Sequence, residues 1–316
     1  MQLTISDVSK TYSNGVKALD GVSLTIGNGM FGLLGPNGSG KTTLMRTVAT
    51  LQEPDRGSIH LGAVDILENQ HAVRSVLGYL PQDFGVYPNV NAETLLGYIA
   101  TLKGVTRRAE RDAVVEFTLR HVNLWDERKR RLGTFSGGMK QRLGIAQALI
   151  GDPKLIIVDE PTAGLDPEER TRFLNLLSAI GENIIVILST HIVEDVAEVC
   201  DRMAIIREGR LLHTGDPQEA IDAIRGKVWK KSVDRDELSA LDGTHRVIST
   251  RLRRGRHVVH VLADAQPDAS FDGAEPDLKD VYFVTLGAAG NNSPAPGSGV
   301  PAGADNARFA GAGQGR

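Results

Sequence analysis

The chain has one cysteine in 316 residues, Cys200, so it can form neither an internal disulfide nor a thiolate-rich metal site of its own. A reducing compartment suits it, and Cys200 is expected as a small buried side chain. There is no surplus of positive charge either. The 36 Lys and Arg stand against 39 Asp and Glu, a formal net charge of -3. Without a global basic field, nucleic acid is not an expected partner. Long apolar runs are missing too. The run at 184–188 is among the longest, far below the ~20 residues that a spanning helix needs. The opening Met-Gln-Leu-Thr-Ile-Ser lacks the basic-then-apolar pattern of a secretory signal, so the chain is expected to stay in the cytoplasm. No internal repeat appears. The length fits about two domains and a sizeable core.

What is present centres on Gly35-Pro36-Asn37-Gly38-Ser39-Gly40-Lys41-Thr42, which fits the pattern G-x-x-x-x-G-K-[ST] of a phosphate-binding P-loop. Its glycines let backbone N–H groups turn inward around an anion. Lys41 adds a cation at the β- and γ-phosphates. Thr42 is expected to open a helix whose N-terminus favours the same charge, with its hydroxyl free for Mg²⁺ and Thr43 beside it. Apolar Met30 to Leu34 precedes the loop as a strand, so ATP or GTP binding is expected.

Before the loop, loose alternation at 3–8 and an apolar stretch at 24–26, split by Asn14-Gly15, predict an antiparallel hairpin or meander. After it, apolar runs alternate with helical periodicity, the pattern of a parallel sheet covered on both faces. The runs at 155–158, 184–188 and 203–206 are the clearest buried strands. Residues 168–180 read as a helix, with Asp166 as cap, Pro167 at the first position and Glu169 completing a capping box. Residues 92–102 and 108–121 read as helices of an insertion spanning about 83–150. The fold class is therefore α/β: a P-loop NTPase core with an antiparallel β subdomain and a helical insertion, plus a small α+β appendage. The expected boundaries are 1–224 for the ATPase domain and 225–287 for the appendage. Residues 288–316, rich in Gly, Ala, Pro, Asn and Ser, are expected as a disordered tail.

Two further stretches carry chemistry. At 155–160 a buried apolar run ends in Asp159-Glu160, and charges are seldom placed there for packing. In a P-loop NTPase that position suits an Asp that holds Mg²⁺ and a Glu that polarises the attacking water. Ser136-Gly137-Gly138 starts another Gly-rich helix, either a plain turn or a second anion site.

In order along residues 3–216, the P-loop is followed by Tyr79-Leu80-Pro81-Gln82, Phe135-Ser136-Gly137-Gly138-Met139, Asp159-Glu160, Ala163-Gly164-Leu165-Asp166 and Ser189-Thr190-His191. This set resembles the ATP-binding subunits of ABC transporters, with their Q-loop, signature, D-loop and switch histidine. The helical stretch and the C-terminal unit ending near Tyr282 look most like ATPases of multidrug and antibiotic exporters.

The resemblance implies that Gln82 senses the γ-phosphate and Mg²⁺, that His191 bonds the γ-phosphate, and that Tyr12 stacks on adenine. It implies a head-to-tail dimer, expected as a homodimer, in which Ser136 and Gly138 of one subunit close over ATP on the other's P-loop. It also implies a membrane permease on a separate chain, with export as the expected direction and a location on the inner face of the membrane. Phe135 and Met139 replace the signature's usual Leu and Gln. Other readings are a soluble ATPase of the same superfamily acting on ribosomes or in DNA repair, and a binding module that does not hydrolyse. The water-activating Glu160 weighs against the last. The basic clusters at 128–131 and 251–256 are either solvated surface or contacts to lipid headgroups or a partner.

Overall fold

The computed structural model describes residues 1–82, 85 and 87–290. Strand β1 (Gln2–Thr11) pairs antiparallel with β2 (Lys17–Gly27), and β3 (Gly29–Leu34) leads through the loop at 35–40 into α1 (Lys41–Val48). β4 (Arg56–Leu61) and β5 (Val64–Asp65) extend the first sheet, and α2 (Gln70–Val76) hands over to β6 (Leu77–Leu80). Then come α3 (Ala92–Leu102), α4 (Arg108–His121), α5 (Gly137–Leu149), β7 (Leu155–Asp159), α6 (Pro167–Gly181), β8 (Ile185–Thr190) and α7 (Val193–Val199). The chain continues through β9 (Arg202–Arg207), β10 (Arg210–Gly215) and α8 (Pro217–Asp222). The last group is β11 (Val228–Val233), α9 (Arg235–Thr244), β12 (Arg246–Arg253), β13 (Arg256–Leu262), β14 (Asp272–Gly273) and α10 (Leu278–Gly290).

The central sheet has the order β10-β9-β3-β8-β7-β6, parallel except for β10. Side chains alternate across a strand, and here both faces are covered. On β7, Leu155 and Ile157 pack with α1 and the antiparallel sheet, while Ile156 and Val158 pack with α3 to α6. That explains a strand without a polar position until its end. The register sets Leu34 opposite Thr190 and Asp159 opposite Ser189, so the chemistry-bearing residues leave the sheet at one edge. In open α/β sheets ligands bind outside this carboxyl edge.

Local signals set the element ends, with two differences. Asp166 caps α6 by accepting the Glu169 N–H at 2.9 Å. The Glu169 carboxylate does not return the bond. Its Oε1 lies 3.7 Å from both Arg142 on α5 and Arg172 on its own helix, two cations that the capping-box pattern does not take into account. Helix α10 also runs past the boundary expected at 287. The Leu286-Gly287-Ala288-Ala289 stretch extends α10 to Gly290, as alanine's helix propensity favours, and residues 291–316 lie outside the described residues.

The C-terminal sheet has the order β12-β13-β11-β14, with α9 packed on Val233, Val259, Val261 and Phe271. Helix α10 joins it to the rest. Its buried Asp280 meets His260 Nδ1 of β13 at 2.9 Å. Its Leu278, Val281 and Tyr282 share a buried cluster with Leu34, Val193 and Val196. Lys279 pairs with Glu194 of α7, and Arg207 Nη1 donates to the Leu286 carbonyl at 2.9 Å.

Candidate functional site

The loop between β3 and α1 is shaped by close backbone approach. A Cβ at Gly40 (φ +105°) would sit 2.4 Å from the Ala18 carbonyl, and one at Gly35 would sit 2.4 Å from that of Ile206. Side chains are excluded at both ends. Helix α1 begins at Lys41 rather than Thr42, with Gly40 as its cap, and Pro36 accepts the Ser39 N–H at 3.2 Å. The loop, with Tyr12, Val16, Lys17, Ala18, Thr42, Thr43, Gln82 and Glu160, lines a cavity of about 400 Å³. Residues Asn37, Gly38, Ser39, Gly40 and Lys41 all face it.

The only nearby cation donated by the loop is buried. Lys41 Nζ donates to the Gly35 carbonyl at 2.8 Å and the Pro36 carbonyl at 3.3 Å, and lies 3.3 Å from Glu160 Oε1. Glu160 is 6% exposed, and its other oxygen meets His191 Nδ1 at 2.6 Å. Its backbone is left-handed (φ 51°), with its N–H held by the Ser189 carbonyl at 2.8 Å. A non-glycine residue in that region costs ~1–3 kcal/mol and persists where its surroundings fix it, a pattern common at active sites. Thus Lys41, Glu160 and His191, far apart in sequence, form one line of contacting side chains, of which Lys41 and Glu160 face the cavity.

Asp159 is buried beside them. Its Oδ1 accepts the Ser189 hydroxyl at 2.8 Å, whereas its Oδ2 has no partner among the described residues. Ser39 Oγ is likewise buried and unpartnered. Such atoms are costly to leave unpaired. The unpartnered Asp159 oxygen fits one ligand position of a small divalent cation, whose remaining positions phosphate and water would fill. Burial and the Asp159 charge together push the Tyr79 phenol up.

Tyr12 stands at the cavity rim, 37% exposed, its hydroxyl 3.2 Å from Thr43 Oγ1 and 3.1 Å from Gln52 Oε1. Gln82 is exposed and lines the cavity. The Ser136-Gly137-Gly138 turn is not brought to it. Ser136 caps α5 instead, accepting the Met139 N–H at 3.2 Å, and Gly138 lies against Glu169, where a Cβ would be 2.3 Å from Oε2. Gly137 has open space around it.

Two positions escaped the sequence reading. Ser189 orients Asp159, as above. Asp195, fully buried, accepts the Thr162 hydroxyl at 2.6 Å and Arg170 Nε at 2.6 Å. It thereby ties the segment after His191 to the loop after Glu160. The one available hint was a carboxylate on a short helix between the buried Val193 and Val196. Of the basic clusters, Arg128 stacks on Trp125 at 4.1 Å and Arg130 pairs with Glu127 at 2.7 Å, both surface packing roles.

Comparison with known proteins places these features in company. A sequence profile of the family described as "ABC transporter" matches residues 19–163. The chain is 32% identical to the probable multidrug ABC transporter ATP-binding protein YbhF of Escherichia coli, across 83% of this chain and 47% of that protein. It thus spans about half of that relative's length. It is 38% identical to the Nod factor export ATP-binding protein I of Rhizobium etli, across 71% of each. Among solved structures it resembles cbiO1 from Clostridium perfringens, part of the ABC transporter complex cbiONQ. That match has a TM-score of 0.64 at 27% identity and covers 70% of this chain and 90% of the other.

Proposed function

We propose a function from one premise: the chain belongs to the family of ABC transporter ATP-binding proteins. It is an ATPase subunit that binds ATP in the P-loop cavity, dimerises around it, and drives export through a permease carried on another chain. The observation that carries this reading is the buried Lys41 and Glu160 pair, with His191 held on Glu160, beside an unpartnered Asp159 oxygen. A binding module has no need of a carboxylate held there.

The residues divide the work. Backbone N–H groups of Gly38, Ser39, Gly40 and Lys41 receive the phosphates, and Tyr12 offers its ring to the base. Lys41 leaves Glu160 Oε1 for the phosphate oxygens, freeing the carboxylate to accept a proton from water. That water attacks the γ-phosphorus in line, the bond to the β-phosphate oxygen breaks, and ADP and phosphate result. His191, held through Nδ1 by Glu160, presents its other face to the γ-phosphoryl group. Asp159, Thr42 and Gln82 would hold Mg²⁺, which supplies charge neutralisation between the phosphates when bound.

Ser136 and Gly138 stand outside the cavity and serve a second subunit's nucleotide, so that a symmetric pair makes composite sites. Among the described residues no helix is long and apolar enough to cross a membrane, consistent with a separate permease and a place on the inner membrane face. The names of relatives, multidrug and Nod factor export, favour export. The division into 1–224, 225–287 and a tail belongs to this same reading.

Glu160→Gln tests it. ATP binding should persist, turnover should fall ~10²–10⁴-fold, and the ATP-bound protein should accumulate as a dimer. Near-normal turnover would remove Glu160 from the chemistry.

A further inference from the structure

β12 is an edge strand, paired with β13 on one side only among the described residues. Its outer side carries backbone N–H and C=O groups free to pair with another chain. The register shifts between Val247 and Ser249, but from Ser249 to Arg253 pairing with β13 is continuous, so that stretch is straight enough to template a neighbour. Helix α10 runs alongside, leaving a cleft of about 520 Å³ lined by residues 247–251 with Lys279 and Phe283. Ser249 Oγ is buried in this wall and has no partner among the described residues. Phe283 is 41% exposed and Leu252 69% exposed, both large for solvent-facing positions.

Charge selects the occupant. β12 carries three arginines and no carboxylate. Arg251 has only a loose contact to Asp277, at 3.8 Å, with both groups half exposed. Arg253 and Arg254 have no side-chain partner among the described residues, and the tight turn at Arg254 (φ 51°) and Gly255 (φ 80°) holds them at the end of the hairpin. A second copy of the chain is disfavoured, because antiparallel pairing of two such edges would bring arginines against arginines.

We propose that this cleft is a strand-addition site for an extended, acidic segment of a partner protein. The segment pairs its backbone with the outer edge of β12 over residues 249–253. Its carboxylates meet Arg251 and Arg253 on the face toward α10, their methylenes against Phe283, and its alternate apolar side chains lie beside Leu252 on the other face. This mode takes affinity from main-chain hydrogen bonds and specificity from the side chains that enter the cleft. It is independent of the nucleotide chemistry.

The test uses the full chain and a fluorescein-labelled octapeptide of alternating Glu and Val, read by anisotropy. The acidic peptide should bind saturably. Its Lys-for-Glu counterpart should bind at least about tenfold more weakly, and so should the acidic peptide to the Arg251→Glu/Arg253→Glu double variant. The acidic peptide N-methylated at every peptide bond keeps its charges but loses its donors, and it should not bind. Phe283→Ala, read in the same assay, should weaken binding and keeps the test decisive if the double variant misfolds. Equal binding of the N-methylated peptide, no saturable binding of the parent, or no loss in either variant would each overturn the proposal. Self-association of the chain that the double variant abolishes would assign the edge to a second copy and overturn it as well.

Discussion

The central and C-terminal sheets of this chain are built on different terms. In the central sheet every residue of β7 and β8 is buried, and the strands end in Asp159, Ser189 and Thr190 at a common edge. In the C-terminal sheet the edge strand β12 buries Ile248 alone, and it finishes in exposed residues. A strand enclosed on both faces has its direction and register fixed by packing, so it can hold a carboxylate within a few tenths of an ångström. An edge strand with a solvated side gives up that rigidity and keeps backbone groups available for a partner. The first suits chemistry and the second suits recognition.

That contrast can be broken or sharpened by mutation. Lys41→Ala removes the buried cation from the cavity and should weaken ATP binding by about 10- to 100-fold, measured by calorimetry. Retained affinity would mean that the cavity does not hold phosphate. Ile157→Ala, in a fully buried strand, should cost ~2–5 kcal/mol of unfolding free energy by urea titration and carry ATP binding down with it. The matching change in the appendage is Leu241→Ala on α9. It should loosen the C-terminal sheet, by a smaller amount at this less enclosed site, while ATP affinity in the folded protein stays within about twofold. A large loss of affinity would show that the two sheets are not separable. Lys279→Ala should cost only ~0–1 kcal/mol, since the Glu194 pair is partly solvated. Smallest of all is Cys200, where burial, with Asp201 and Asp195 nearby, pushes the thiol up. Iodoacetamide at neutral pH should leave it unlabelled in the folded chain and label it after unfolding.

The same contrast governs how much the sequence revealed. The P-loop, the apolar runs of β7 and β8, and the Asp166-Pro167 start of α6 are contiguous patterns whose physics is local, and each can be read from a few neighbours. The bond from Ser189 to Asp159 depends on which strands are adjacent, and nothing in either segment states that β7 lies beside β8. Asp195 works through Thr162 and Arg170, both remote in sequence. Glu169 was legible as a capping residue, yet its carboxylate lies between Arg142 and Arg172 instead. For Ser136 and Gly138, motif resemblance reached further than the single chain does. Their helix start stands away from the P-loop cavity, and the role proposed for them requires a second copy.

That division of the site is the central claim, and mixing inactive subunits tests it most directly. Lys41→Ala spoils the P-loop and Ser136→Glu spoils the signature turn, so each variant alone should hydrolyse almost no ATP. A mixed dimer of the two contains one composite site with both parts intact. Equimolar mixing should therefore restore a substantial part of wild-type turnover. If the mixture stays as inactive as its parts, although mixed dimers form, the nucleotide site is not shared between subunits and the account is wrong.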